Sequence, residues 1–217
     1  MRIASLKTTV LALMLCQATT AHAALPTIDD FSAGLFYRPT PNGVTSKTFK
    51  AANIAGGART ITTYVNANTL AQYSATAVGR GLKNVSVGPG LFFSTGYGVA
   101  QRADLGYGEN KAMSLDLTAY ARFRVHFSNA SIVTLADFQA FTGSAYVQWG
   151  CNNITTNGSD LLGDVTVDYP FVYGAGVDYS NVNHIYLILQ SNANLSVNKI
   201  EVVPDSAPPA DFTCSAD

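Results

Sequence analysis

The segment Ala121-Arg122-Phe123-Arg124-Val125-His126-Phe127 decides how this chain folds, because its side chains alternate strictly between apolar and charged. Successive side chains of a β-strand point to opposite faces, so Phe123, Val125 and Phe127 line one face and Arg122, Arg124 and His126 the other. This pattern predicts a half-buried strand. The three basic residues read either as an ordinary charged outer face or as donors converging on an anion or acidic glycan. The ordinary face is the simpler reading.

Working outward, His184-Ile185-Tyr186-Leu187-Ile188-Leu189-Gln190 is more continuously apolar and predicts a central strand covered on both faces. Ser191-Asn192-Ala193-Asn194 is turn chemistry, which predicts a hairpin between that strand and Leu195 to Val203. Further strands are expected at Ile28 to Ser32, Thr48 to Ile54, Arg59 to Val65, Leu82 to Val87, Leu91 to Ser94, Val99 to Ala103, Ala112 to Leu117, Ile132 to Phe138, Ala145 to Trp149 and Asp164 to Tyr169. Gly56-Gly57, Gly88-Pro89-Gly90, Gly96, Gly106, Gly108, Gly143 and Asn157-Gly158 punctuate them as turns. Short strands at this spacing, with no long 3.6-residue period, predict an all-β sandwich. The expected organisation is a leader at 1–23, one sandwich domain over 24–203 and a Pro-containing tail over 204–217.

Composition agrees. Of 217 residues, 12% are charged and 47% hydrophobic, with 18 Gly, 11 Tyr and 11 Phe. An ordinary soluble domain carries about 25% charged residues. Thirteen basic residues against 14 acidic ones give a formal charge of -1, too little positive charge for a nucleic-acid partner. Arg2 and Lys7, the apolar run Val10 to Cys16 and the small-x-small site Ala21-His22-Ala23 read as a secretory signal of bacterial style. Leu15 before Cys16 argues against lipidation, and no apolar run reaches the roughly 20 residues of a membrane span. The mature protein is therefore expected to be secreted, periplasmic or extracellular. Its two cysteines, Cys151 and Cys214, are expected to form a disulfide that pins the tail, with two free thiols as the alternative. Asn84, Asn129, Asn153, Asn157 and Asn194 head glycosylation acceptors, which matter only in a glycosylating host.

Ile28-Asp29-Asp30-Phe31-Ser32, Gly56-Gly57-Ala58-Arg59, Leu115-Asp116-Leu117-Thr118-Ala119-Tyr120, Asp178-Tyr179-Ser180-Asn181-Val182 and Leu195 to Val203 resemble successive signposts of galactose-binding-like jelly rolls. These β-sandwiches occur in carbohydrate-binding modules and in the complex I intermediate-associated protein family. The resemblance covers about residues 28 to 203. It implies a jelly-roll β-sandwich, and with it a non-catalytic glycan binder or a protein-binding or structural domain. It also implies a structural Ca²⁺ between the chain's ends, with Asp29, Asp30 and Glu201 as oxygen ligands. Turn and capping hydrogen bonds are the alternative role for Asp29 and Asp30.

No catalytic residue is assigned. Gly-x-Ser-x-Gly is absent, and His126 and His184 both sit in strand patterns. His-x-x-x-His, Cys-x-x-Cys and EF-hand spacings are absent as well, so no cofactor is expected beyond that calcium. Glu109 and Glu201 are the two glutamates. Asp164 and Asp168 share a strand face but lie about 13 Å apart, far for a glycosidase pair. Sugars are held by ring stacking and by amide, carboxylate and guanidinium hydrogen bonds. Tyr97, Tyr107 and Trp149, with Arg59, are accordingly the candidate ligand-binding residues. The competing roles are core filling for Trp149 and a salt bridge for Arg59. The expected function is binding of a glycan ligand, with a self-associating surface protein as the alternative and a glycan-processing enzyme behind both.

Overall fold

The computed structural model describes residues 26–33, 36–37, 43–65, 76–78, 91–93, 101–109, 111–128, 133–154, 164–191 and 195–216. Its strands are β1 (Thr27–Asp29), β2 (Phe36–Tyr37), β3 (Gly43–Lys50), β4 (Ala58–Val65), β5 (Thr76–Val78), β6 (Leu91–Phe93), β7 (Gln101–Tyr107) and β8 (Arg122–Ser128). They continue as β9 (Val133–Thr142), β10 (Ala145–Gly150), β11 (Asn152–Ile154), β12 (Asp164–Pro170), β13 (His184–Ser191), β14 (Leu195–Val203), β15 (Phe212–Thr213) and β16 (Ser215–Ala216). Among the described residues a single 3₁₀ turn, Ala55–Gly57, precedes β4.

Two sheets result. The first runs β15-β12-β8-β14-β6-β5-β2, with β1 also paired to β14. The second runs β16-β10-β9-β13-β7-β4-β3, with β11 also on β9. Pairing is antiparallel except between β12 and β15. From β8 onward the chain passes between the sheets repeatedly, β12 and β14 lying in the first and β9, β10 and β13 in the second. The fold is an all-β jelly-roll sandwich.

The alternation in 121–127 is realised as expected. Phe123, Val125 and Phe127 are at most 1% exposed, while Arg122 and His126 face outward. Across the core Phe123 stacks on Phe138 of the second sheet at 4.5 Å, and Tyr169 donates to the carbonyl of Ala136 at 3.0 Å. The inward faces of β13 (Ile185, Leu187, Leu189) and β14 (Val197, Ile200, Val202) are wholly buried. Apolar burial of this kind, at about 25 cal/mol per Å², is the main force holding the two sheets together.

Four expectations change. β13 and β14 are not a hairpin: β13 lies between β7 and β9, whereas β14 lies beside β8 in the opposite sheet. A period of two says that each strand has an apolar face, and here those faces meet across the core instead of sharing one sheet. β13 is mid-sheet, yet Tyr186, Ile188 and Gln190 on its outer side are only half-buried. Residues 112–117 make a single bridge, Leu115 to Val182, because Met113 and Leu117 close one end of the sandwich against 179–183. The strand expected at 48–54 ends at Lys50, and Ala51 then turns by bonding Gly57. Residues 1–23, the strand at 82–87 and the turns at 88–90, 96 and 157–158 lie outside the described residues.

Candidate functional site

The structure places the expected ligand residues inside the protein. Trp149 is 0% exposed, lies edge-on to Phe123 and Phe138, and donates its indole N–H to the carbonyl of Pro170 at 2.6 Å. A ring with no open face cannot stack on a sugar, so Trp149 takes the core-filling role. Tyr107 is equally buried, and burial first, then the Asp29 charge, pushes its phenol well above the usual range. Tyr97 lies outside the described residues.

Arg59 is held by the chain itself. Its guanidinium pairs with Asp29, donates to the carbonyl of Ala33 at 2.7 Å and sits 4.8 Å from the ring centre of Phe31. Asp29 also accepts from Tyr107 at 3.0 Å and from the backbone N–H of Phe31 at 2.8 Å. Burial raises the Asp29 carboxyl against the opposing pull of Arg59. Removing one member would strand a buried charge at a cost of about 3–5 kcal/mol, which makes this triad part of the fold's framework.

The three carboxylates assigned to calcium do not form one shell. Asp29 turns into the core; Asp30 binds Ser32 and Asn53. Glu201 points outward, taking a hydrogen bond from His126 at 2.7 Å and another from Lys199. Asp29 lies opposite Ile200, whose side chain faces the core, so Asp29 and Glu201 project from opposite sides of the sheet. Among the described residues no group of three or more His, Cys, Asp or Glu is placed to hold a metal ion.

Arg122 and Arg124 are likewise committed. Both contact Asp168, at 2.7 and 2.6 Å, and they donate to the tail carbonyls of Ala207 and Pro208. They form the ordinary charged face, partly covered by the tail. Asp168, held by two guanidiniums, has no spare oxygen to act as a partner of Asp164. Cys151 and Cys214 are joined in a disulfide, their Cα atoms 5.3 Å apart.

The open face is elsewhere, on the outer side of the second sheet. Register places Tyr146, Phe141 and His184 side by side across β10, β9 and β13. The next row holds Gln148, Gln139, Tyr186 and Gly106, and the one after it Asp137, Ile188 and Asp104. Tyr64 and Arg102 stand opposite each other on β4 and β7. Tyr146 is 54% exposed and stacks on Phe141 at 5.3 Å, and Tyr186 meets Phe141 edge-on at 5.5 Å. Three rings from three strands therefore form one aromatic surface.

Polar groups frame it. Gln139 donates to Gln148 at 2.8 Å. Gly106 leaves room for Glu109 to fold back over β7, since a Cβ at Gly106 would lie 2.6 Å from the Glu109 carboxyl carbon. Burial, then the charge and hydrogen bond of Glu109, raise the Tyr186 phenol. At the far end Arg102 grips both oxygens of Asp104 at 2.7 and 2.8 Å and lies 5.1 Å from the Tyr64 ring centre. Burial, then Asp104, raise the Tyr64 phenol. Four strand spacings separate β10 from β4, so the face is about 19 Å wide.

Sequence reading missed this face because it sought rings in glycine-rich loops. The available signal was parity: in Tyr146-Val147-Gln148-Trp149 the apolar Val147 fixes Trp149 inward and Tyr146 and Gln148 outward.

No protein-family model matches the chain, and comparison with curated proteins gives no match. Among solved structures it is similar to the family 11 carbohydrate-binding module of the cellulosomal cellulase Lic26A-Cel5E of Clostridium thermocellum. That similarity is at 13% identity, over 83% of this chain and 95% of that one, with a TM-score of 0.43. A family 11 module from Clostridium thermocellum in complex with a β-1,3-1,4-mixed-linked tetrasaccharide is similar at 11% identity, over 79% and 98%, with a TM-score of 0.38.

Proposed function

We propose that this protein is an exported, non-catalytic carbohydrate-binding sandwich that holds a glycan on the outer face of its second sheet. The observation that supports this reading is the aromatic surface of Tyr146, Phe141 and Tyr186 set among Gln139, Gln148, Glu109 and the Arg102–Asp104 pair. Sugar rings have apolar C–H faces that stack on aromatic rings, and their hydroxyls pair with amides and carboxylates. Asp104 has both carboxylate oxygens engaged by Arg102, which fixes the pair at one end of the face. The signal-like leader and the disulfide support export.

Affinity electrophoresis and calorimetry of the mature protein against soluble β-glucans, xylans, mannans and galactans test the reading. At least one should bind, and Tyr146→Ala or Tyr186→Ala should weaken it tenfold or more while thermal unfolding stays cooperative. Absence of binding across the panel, or binding indifferent to both substitutions, would overturn the assignment of this face.

A further inference from the structure

A groove of about 490 Å³ lies on the first sheet, between the tail and the 171–179 turn. Its walls are Pro170, Phe171 and Tyr173 on one side and Asp205 and Pro209 on the other, with Arg122 at the base. Tyr173 is 71% exposed, the largest exposure among the described bulky hydrophobic side chains. The ring is nevertheless held in place: it meets Tyr179 edge-on at 5.4 Å, and Tyr179 stacks on Phe171 at 4.3 Å. The Tyr179 hydroxyl in turn accepts the backbone N–H of Val172 at 3.0 Å. The result is a braced ring with an open face.

The opposite wall is fixed too. Arg122 donates to the carbonyl of Ala207 at 2.7 Å and lies 3.9 Å from the fully exposed Asp205 carboxylate. Arg124 donates to Pro208, and the disulfide at Cys214 anchors the strand that follows. A wall ordered before binding loses little entropy when a ligand arrives.

We propose that this groove is a separate subsite for one or two units of a neutral sugar. Tyr173 supplies the stacking platform, and the fully exposed Asp205 carboxylate the acceptor for a ring hydroxyl. Charge selects the ligand: Arg122 and Arg124 are balanced by Asp168 and Asp205, leaving no excess positive charge for phosphate or an acidic sugar. Size limits it, because 490 Å³ lies near the lower end of small-molecule pockets.

Saturation-transfer NMR of the mature protein with glucose, galactose, mannose, N-acetylglucosamine and their β-linked dimers tests the proposal, with glucuronate and inorganic phosphate as charged probes. At least one neutral sugar should receive saturation, and Tyr173→Ala and Asp205→Asn should each weaken it tenfold or more. Both positions are exposed, so the fold is kept, and polysaccharide affinity at the second sheet should stay unchanged. Three results would each overturn the subsite: no neutral sugar binding, binding of the charged probes in preference, or polysaccharide affinity falling in step with the small-sugar signal. The first leaves the second-sheet reading intact wherever polysaccharides still bind.

Discussion

Breaking the Cys151–Cys214 disulfide should destabilise the protein by about 4 kcal/mol. The bond joins residues 63 apart in sequence, and confining a loop of that length in the unfolded chain costs entropy that grows with the logarithm of its length. At 25 °C this works out at about 4.3 kcal/mol, which for a chain of this size lowers the melting temperature by roughly 8–17 °C. The folded state should change little, because the tail has other holds. β15 pairs with β12, β16 pairs with β10, and Cys214 N–H bonds the carbonyl of Asp168 at 2.8 Å. Trp149 is the reporter: wholly buried and two residues from Cys151, it should shift to the red when the sandwich opens. Urea unfolding of the oxidised protein is compared with that of a Cys151→Ala/Cys214→Ala variant, since Cys214 is too buried for reductant alone to be trusted. A variant within about 0.5 kcal/mol of the oxidised protein would refute the loop-entropy argument.

Two further outcomes follow from buried groups. Burial pushes Glu201 up, but hydrogen bonds from His126 and Lys199 prevail and bring it from 4.5 down to about 2. A depressed folded pKa stabilises above the unfolded value, so about 1–2 kcal/mol should be present above pH 4.5 and fade as pH falls toward 2, after allowance for the exposure of both partners. Melting curves of wild type and Glu201→Gln should therefore converge with acid, and a gap that stays constant would contradict the pairing. Trp149→Phe should lower stability by about 2 kcal/mol through lost volume and the lost bond to Pro170, yet leave polysaccharide affinity as it was. Selective loss of affinity in a stably folded variant would return Trp149 to the binding site.

Strand positions were legible wherever apolar parity was regular. Residues 122–127, 145–149, 184–190 and 195–203 all fall on observed strands. Which strand pairs with which was not legible, since parity carries no information about sheet membership; β13 and β14 show this. The buried Arg59 could not be foreseen either. Parity puts it beside Ile61 on the inner face, and what makes that tolerable is Asp29, 30 residues away in sequence and brought near by β1 joining β14. The candidate face escaped notice because its rings are scattered over β4, β9, β10 and β13, each unremarkable alone. Their adjacency is a product of strand order.

Strand edges bear on the self-association alternative. Among the described residues three of the four outermost strands, β2, β15 and β16, are two residues long, too short to template another chain. β3 is the exception, with eight residues. Its Lys47 lies opposite Ile61, on the side of the sheet that faces the core, yet is exposed. An ammonium group there would be driven into an apolar interface if a second copy extended the sheet across this edge, and its desolvation would oppose the contact. With 12% of its residues charged, the protein has little general repulsion to keep copies apart. A lysine turned toward the core at the longest described edge supplies that protection locally, which opposes self-association by sheet extension across this edge.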